Sequence, residues 1–196
     1  MIKRLFDIIF SFIGLIILSP VLLTISIIIL LDSPGPILFR QVRIGKRGEE
    51  FILYKFRTMF KDAKTKGLLT VGMRDSRITK AGYFLRKYKL DELPQLFNVF
   101  KGDMSFVGPR PEVGRYVGKY NQKQLKVLDV RPGLTDYASI EFSNENEILA
   151  QSSNPEETYI NEIMPAKLAL NEKYIKEMGF FTDLKIIFKT IWKIVK

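Results

Sequence analysis

Neither histidine nor cysteine occurs anywhere in this 196-residue chain. The lack of cysteine excludes disulfides and is compatible with a reducing compartment. The lack of both removes the usual ligands of zinc and copper. Polar chemistry therefore falls to carboxylates, hydroxyls, amines, or a hard cation such as Mg²⁺ held by carboxylates and substrate phosphates. Acidic residues are also scarce, 21 against 31 lysines and arginines, which leaves a net charge of +10. Such an imbalance points to nucleic acid, anionic lipid or a phosphorylated substrate.

Charge is missing altogether from Ile8 to Leu31. A run of about 24 apolar and small residues is long enough for a hydrocarbon core of about 30 Å. A signal peptide would have a shorter apolar core ending in small residues, and Leu30-Leu31-Asp32-Ser33-Pro34 is a poor cleavage site. The run reads as an uncleaved anchor over residues 1–32. Ser19-Pro20 lies near its middle, where proline removes a backbone donor and kinks a helix. Each arm would then rise only about 18 Å, short of a crossing. Lys3 and Arg4 precede the run, and Arg40, Arg43, Lys46 and Arg47 follow it. Positive flanks favour the cytoplasmic side. A re-entrant helix satisfies both flanks, whereas a kinked complete span remains equally open on these grounds.

Beyond the stiff exit Ser33-Pro-Gly-Pro36, the remainder (33–196) reads as one domain. Ile37–Ile44 and Glu50–Arg57 suggest a small hairpin turning at Gly45-Lys-Arg-Gly48. Asp62–Leu69 suggests a loop and Ile78–Leu90 a helix. A further helix runs from an Asp91 N-cap to Gly102. Ser105–Glu112 reads as a rigid loop presenting Arg110, and Glu112–Asp129 as a helix. Ser143–Asn154 is polar and rich in turn formers. A helix opening at Pro165 stops near Gly179, and Thr182-Asp183 caps the last one. There Leu184, Ile187, Phe188 and Ile191 form one side, with Lys185, Lys189 and Lys193 at four-residue spacing. That pattern fits an amphipathic helix on an anionic membrane surface and, equally, a terminal helix packed on the core. The expected class is α+β, mostly helical, with a small hairpin and a membrane helix broken at Ser19-Pro20.

Asp91-Glu92 is the feature with the most chemistry in it. The electropositive start of a helix and the nearby Arg86 and Lys87 favour ionised carboxylates. An ionised aspartate can attack phosphorus and form an acyl phosphate. Glu92 is placed to hold Mg²⁺ or assist proton transfer, and the pair is the candidate metal site. The plain alternative is a cap and a dipole-complementing neighbour. Lys55, Arg57, Arg77, Arg110 and Arg131 sit at loops or element ends, where rigid backbone can hold guanidinium forks for phosphate. With Arg86 they are the candidate substrate-phosphate ligands. Most aromatics fall at core or anchor positions, which argues against nucleic acid.

Ordered motifs run along nearly the whole chain: Leu18-Ser-Pro20, Tyr54-Lys-Phe-Arg-Thr-Met59, Asp75-Ser-Arg-Ile-Thr79, Leu90-Asp-Glu-Leu-Pro-Gln-Leu-Phe-Asn98, Gly102-Asp-Met-Ser-Phe-Val-Gly-Pro-Arg-Pro-Glu112 and Arg131-Pro-Gly-Leu-Thr135. In this set the chain resembles the bacterial sugar transferases, the monotopic phosphoglycosyl transferases. The resemblance implies transfer of a sugar 1-phosphate from a nucleotide diphosphate sugar, usually a UDP-sugar, to polyprenyl phosphate, typically undecaprenyl phosphate. It implies Asp91 as the nucleophile that expels UMP, Glu92 as its partner in positioning Mg²⁺, and Arg110 as a phosphate ligand. It also implies Ser19-Pro20 as the break of a re-entrant helix, in the bacterial inner membrane with the catalytic part facing the cytoplasm. Expected partners are the UDP-sugar, the polyprenyl phosphate and membrane lipids, without nucleic acid and with room for a homodimer. Many relatives continue after Thr135 with a Gly-Leu-Ala-Gln type segment. Here it is Asp136-Tyr-Ala-Ser139, which leaves the sugar open. The non-enzymatic alternative is a membrane-tethered module that binds anionic lipid or a partner protein.

Overall fold

Proline at position 20 withholds the N–H that would have bonded the Ile16 carbonyl. The Ser19 hydroxyl donates to that same carbonyl at 2.7 Å. In this computed structural model, which describes residues 2–61 and 75–195, the chain forms α1 (Ile2–Ile17) and α2 (Ser19–Asp32) with a 59° bend between them. No single described helix is long and apolar enough to cross a membrane, whereas the bent pair together passes by length and composition. The outer sides of both arms expose Phe10, Phe12, Ile17, Leu23 and Leu31.

The other side of α1 is polar and tied down. Asp7, 2% exposed, accepts from the Ser105 hydroxyl and the Phe106 N–H, both at 3.1 Å. Arg4 donates to the Val99 and Phe100 carbonyls at 2.6 and 2.8 Å. Lys3 bonds the Val107 carbonyl at 2.9 Å and pairs with Asp183. The first basic residues, read from sequence as flanking charge, are thus clamps between the bent helix pair and the rest of the fold.

β1 (Leu38–Ile44) and β2 (Glu50–Phe56) pair antiparallel, in register from Leu38↔Phe56 to Ile44↔Glu50. The expected hairpin forms, turning through Arg47 at φ 61° and Gly48 at φ 78°. The loop expected at Asp62–Leu69 lies outside the described residues. α3 (Lys80–Lys87) is capped by the Thr79 hydroxyl, and α4 (Gln95–Lys101) ends at Gly102 with φ 103°. Asn98 docks α4 on β2: its side chain accepts from the Tyr54 N–H at 3.1 Å and donates to the Ile52 carbonyl at 2.7 Å.

Several sequence expectations are corrected here. Ser105–Glu112 is not loop throughout. It opens as β3 (Ser105–Val107), which pairs parallel with β4 (Gly133–Thr135). The two runs approach so closely that a Cβ on Gly133 would sit 2.1 Å from the Gly108 nitrogen. Glu112–Asp129 is not one helix. It holds α5 (Gly114–Val117), a turn, and a 3-10 segment Gln124–Asp129, because Gly118 and Asn121 favour turns over helix continuation. The polar stretch after Ser143 contains α7 (Glu145–Ala150), which follows α6 (Tyr137–Glu141). The helix expected to open at Pro165 and stop near Gly179 is α9 (Met164–Glu177); what sequence did not show is that α8 (Pro155–Thr158) and a π-turn (Tyr159–Ile163) lead straight into it. Pro165 is tolerated because the widened π-turn precedes it.

The last helix, α10, spans Phe180–Val195, so Thr182-Asp183 lies inside it. Asp183 is 8% exposed and serves Lys3 and the Tyr174 hydroxyl instead of a cap. The stripe read as one apolar side divides: Leu184 and Ile187 are half-buried and Phe188 and Ile191 exposed, whereas the fully buried residue of the helix is Ile186, outside that stripe. α10 packs on β3, β4 and α6 through Ile186 and its neighbours, and turns Phe181, Phe188 and Trp192 outward.

Candidate active site

After α3 the chain reverses through Lys89 in the left-handed region, φ 56°, and enters a 3-10 turn, Leu90–Glu92. Asp91 therefore lies in this turn and does not cap α4, whose N-cap is Pro94. The turn sinks the carboxylate. Asp91 is 8% exposed, and its Oδ1 has no hydrogen-bond partner in the protein. Burial, with the neighbouring Glu92 anion, pushes the Asp91 carboxyl above the ordinary carboxylate range against the pull of Lys55, Lys89 and Arg86. The ionisation expected from a helix terminus is thus opposed by desolvation.

Glu92 behaves in the opposite way. It accepts from Lys55 of β2 at 3.1 Å and from the Arg110 guanidinium. Burial alone would raise its pKa, but Arg110, Lys55 and Lys89 outweigh burial and hold it well below the usual range. One carboxylate is fixed as an anion by two cations, and its neighbour keeps an unpaired oxygen. Pairs pushed apart in this way are a mark of acid–base and nucleophilic sites.

Arg110 is aimed by its surroundings. Pro109 and Pro111 stiffen the segment, Asp136 accepts from the Arg110 N–H at 3.2 Å, and one guanidinium nitrogen donates to the Leu134 carbonyl at 3.2 Å. Arg43 of β1 donates to Glu112 and to the Pro111 carbonyl, both at 3.0 Å, and so braces the same segment. Glu112 also accepts from the Tyr159 hydroxyl.

Asp91, Glu92, Lys55, Arg110, Arg43, Glu112 and Tyr159 line a cleft of about 2760 Å³. Leu15, Leu18 and Leu22 beside the helix bend, and Tyr116 and Asn171, are also among its lining residues. Arg86 is partly buried on its wall and feels Asp91 most strongly among its charged neighbours. Arg77 also lines it and grips Asp75 with Nη2 to Oδ2 at 2.6 Å. Arg57 reaches the cleft edge, but its guanidinium donates to the Ile29, Ser33 and Pro34 carbonyls at 3.3, 2.6 and 2.6 Å. It terminates α2 and fixes the anchor's exit. Arg131 is exposed, donates to the Gly102 carbonyl at 3.0 Å and is not among the cleft-lining residues. Structure therefore gathers Asp91, Glu92, Lys55, Arg86, Arg110 and Arg77, and sets Arg57 and Arg131 apart. Sequence reading missed the bracing roles of Arg43, Glu112 and Asp136. Only Glu112, which directly follows the Pro-Arg-Pro run, carried a sequence signal; Arg43 and Asp136 lie far from that run along the chain.

The family model described as bacterial sugar transferase matches residues 1–196. The chain belongs to the bacterial sugar transferase family. It is 36% identical over 193 residues to a UDP-N-acetylgalactosamine-undecaprenyl-phosphate N-acetylgalactosaminephosphotransferase of Aeromonas hydrophila, covering 97% of this chain and 43% of that protein. Similarity to the UDP-glucose:undecaprenyl-phosphate glucose-1-phosphate transferase of Escherichia coli is 36% identity over 197 residues, 98% of this chain and 40% of that one. The sugar transferase EpsL of Bacillus subtilis is 38% identical over 193 residues, 98% of this chain and 87% of its own length. The chain thus spans less than half of the Aeromonas and Escherichia proteins.

Proposed function

We propose that this bacterial sugar transferase moves a sugar 1-phosphate from a UDP-sugar to polyprenyl phosphate in two steps. Support comes above all from one observation: a buried Asp91 with an unpaired oxygen, beside a Glu92 that Lys55 and Arg110 hold ionised. Asp91 attacks the phosphorus that bears the sugar. A P–O bond to the nucleotide's α-phosphate breaks, UMP departs, and an aspartyl phosphosugar remains. A polyprenyl phosphate oxygen then attacks the same phosphorus. The aspartyl P–O bond breaks, the carboxylate is regenerated and a polyprenyl diphosphate sugar leaves. One phosphoanhydride is exchanged for another, so no ATP is consumed.

Lys55 and Arg110, already directed at the site, and Arg86 on the wall neutralise the diphosphate that an anionic nucleophile must approach. Glu92 and the free oxygen of Asp91 are suited to Mg²⁺, which would supply further neutralisation of phosphate charge. Among the described residues no group of three carboxylates forms, so such an ion would depend on substrate phosphates for the rest of its shell.

The same reading places the chain at the inner membrane as a re-entrant anchor with the catalytic part in the cytoplasm. The 59° bend, the clamps from Lys3, Arg4 and Asp7 and the outward aromatics of α10 support it. The cleft is lined by residues beside the bend, where a lipid phosphate at headgroup depth reaches Asp91. Purified protein with Mg²⁺, undecaprenyl phosphate and a panel of UDP-sugars is expected to release UMP. Mass spectrometry is expected to trap the phosphosugar on Asp91. Glycolipid formed at the native rate by the Asp91→Asn variant would refute the nucleophile.

A further inference from the structure

Three consecutive residues at the end of β2 carry three separate ties. Lys55 donates to Glu92 at 3.1 Å. Phe56 is buried and packs with Ile25 and Ile29 of α2 and Leu85 of α3. Arg57, also buried, sends its guanidinium to the end of α2 and the exit beyond it. It donates to the Ile29, Ser33 and Pro34 carbonyls at 3.3, 2.6 and 2.6 Å. One short stretch of backbone thus joins the carboxylate pair to the second arm of the bent helix pair.

That arm also meets the nucleophile's turn directly. Leu90 and Leu93, which flank Asp91-Glu92, pack against the same cluster of Ile25, Ile29, Phe56 and Leu85. Apolar packing is non-directional and leaves the tilt of a helix loosely specified. Direction comes from the polar ties. Asp32, the last residue of α2, accepts from the Ala81 N–H in the first turn of α3 at 3.1 Å, and α3 leads on to Lys89 and the turn of Asp91. The planar fork of Arg57 gathers carbonyls where a helix leaves its last ones without partners. The exit is shaped around that fork: Gly35 sits at φ 133°, and a Cβ there would collide with Arg57 Nη1.

We propose that Arg57 is a positioning residue, which fixes the tilt of the domain on α2 and so sets Asp91 at the plane where the acceptor lipid's phosphate lies. This rests on the transfer reading above and gives it a residue that touches neither substrate. α2 is 14 residues long, about 21 Å from end to end. A tilt of about 10° at its exit displaces the far end by about 4 Å relative to Asp91, whereas a misplacement of about 1 Å already costs an attacking group much of its rate. Arg57 Nε is buried and unpaired. A phosphate ligand would have to bond there, and the two halves of the reaction separate that role from the positioning one.

The first half, attack on the UDP-sugar, needs no lipid acceptor; the second does. The full chain is assayed with the best donor of the UDP-sugar panel. Without acceptor, Arg57→Gln is expected to give the native stoichiometric burst of UMP at an unchanged KM for the donor. Transfer to undecaprenyl phosphate in phosphatidylglycerol vesicles is expected to fall at least about tenfold and to recover in detergent micelles, where no bilayer plane has to be matched. Gly35→Ala, which displaces the guanidinium while keeping it, is expected to give the same pattern. Arg57→Lys keeps the charge without the fork, and it carries the same expectation should Arg57→Gln not fold. A raised donor KM or a lost burst would make Arg57 a phosphate ligand and overturn the proposal. Equal loss in vesicles and micelles would overturn it too, as would native transfer in vesicles. Absence of UMP release by the native protein with every donor is a separate result, and it defeats the transfer reading.

Discussion

At the scale of single residues, Asp91 and Glu92 are adjacent in sequence but have opposite electrostatic fates. Asp91 is held above the ordinary range by burial. Its proton is therefore favoured by folding: its contribution to stability is greatest in acid and is lost as pH rises through the raised folded value. Asp91→Asn is expected to abolish turnover yet stabilise the fold at neutral pH by about 0.5–2 kcal/mol, the usual range for relieving a strained functional site. Denaturant unfolding in EDTA checks this, and a less stable variant would contradict it. Glu92 has the opposite sign. Its depressed value, set by Arg110 and Lys55, contributes stability above the unfolded value, and this is lost as pH falls through the folded one. Glu92→Gln leaves two poorly exposed cations without an anion, at a cost of about 3 kcal/mol or more. The same unfolding assay reads it. The carboxylate pair, Lys55 and Arg110 were legible as candidates because their types suit phosphate chemistry. Arg57 and Arg131 were not separable from them, because a guanidinium at a loop terminates a helix as readily as it binds a phosphate. Only the position of the Ile29, Ser33 and Pro34 carbonyls decides the matter for Arg57.

At the scale of elements, the anchor's bend has two independent causes, whose sizes can be compared. Proline removes one backbone hydrogen bond, and the Ser19 hydroxyl offsets part of that loss. Lys3, Arg4 and Asp7 hold the first arm to the domain with charge-assisted bonds worth about 1.5–3 kcal/mol each. The clamps therefore outweigh the proline. Pro20→Leu alone is expected to leave the first arm in place, so that a cysteine introduced by Ile2→Cys stays shielded from impermeant reagent outside the cell. Combining Pro20→Leu with Lys3→Ala, Arg4→Ala and Asp7→Ala removes both causes and is expected to expose that cysteine. Labelling after Pro20→Leu alone would show the proline to be dominant. The break was legible because proline is read locally, whereas the clamps were not, because their partners lie 95–104 residues away. The same separation hid β3 and β4, two three-residue strands with too few positions to show alternation. The supposed helix over Glu112–Asp129 failed for the opposite reason. Val113, Tyr116, Tyr120 and Val127 recur at near-helical spacing, but they reach one core through separate turns.

On the scale of the whole molecule, the exposed apolar side of the anchor and the outer side of α10 adjoin. Phe6 of α1 meets Phe180 of α10 at 5.9 Å, and Phe180 meets Phe181 at 5.7 Å. Phe181, Phe188 and Trp192 are 84%, 69% and 72% exposed, with Lys185 and Lys189 exposed on the same helix. Aromatic rings flanked by lysines suit the headgroup layer of an anionic bilayer. The opposite side of α10, through Ile186 and Asp183, is fixed to the core, which bears out the packed reading of this helix and leaves its outer aromatics as the test of the membrane reading. Burying one aromatic side chain is worth about 1.5–3 kcal/mol. Phe188→Ser with Trp192→Ser is therefore expected to weaken retention on vesicles containing phosphatidylglycerol by at least tenfold. Folding should be unaffected, because neither ring packs inside. Turnover should fall with undecaprenyl phosphate in vesicles and recover in detergent micelles, where the acceptor no longer has to be met at a bilayer plane. Equal loss in vesicles and micelles would mean that α10 supports the fold through these rings, and that the anchor alone brings the cleft to the lipid.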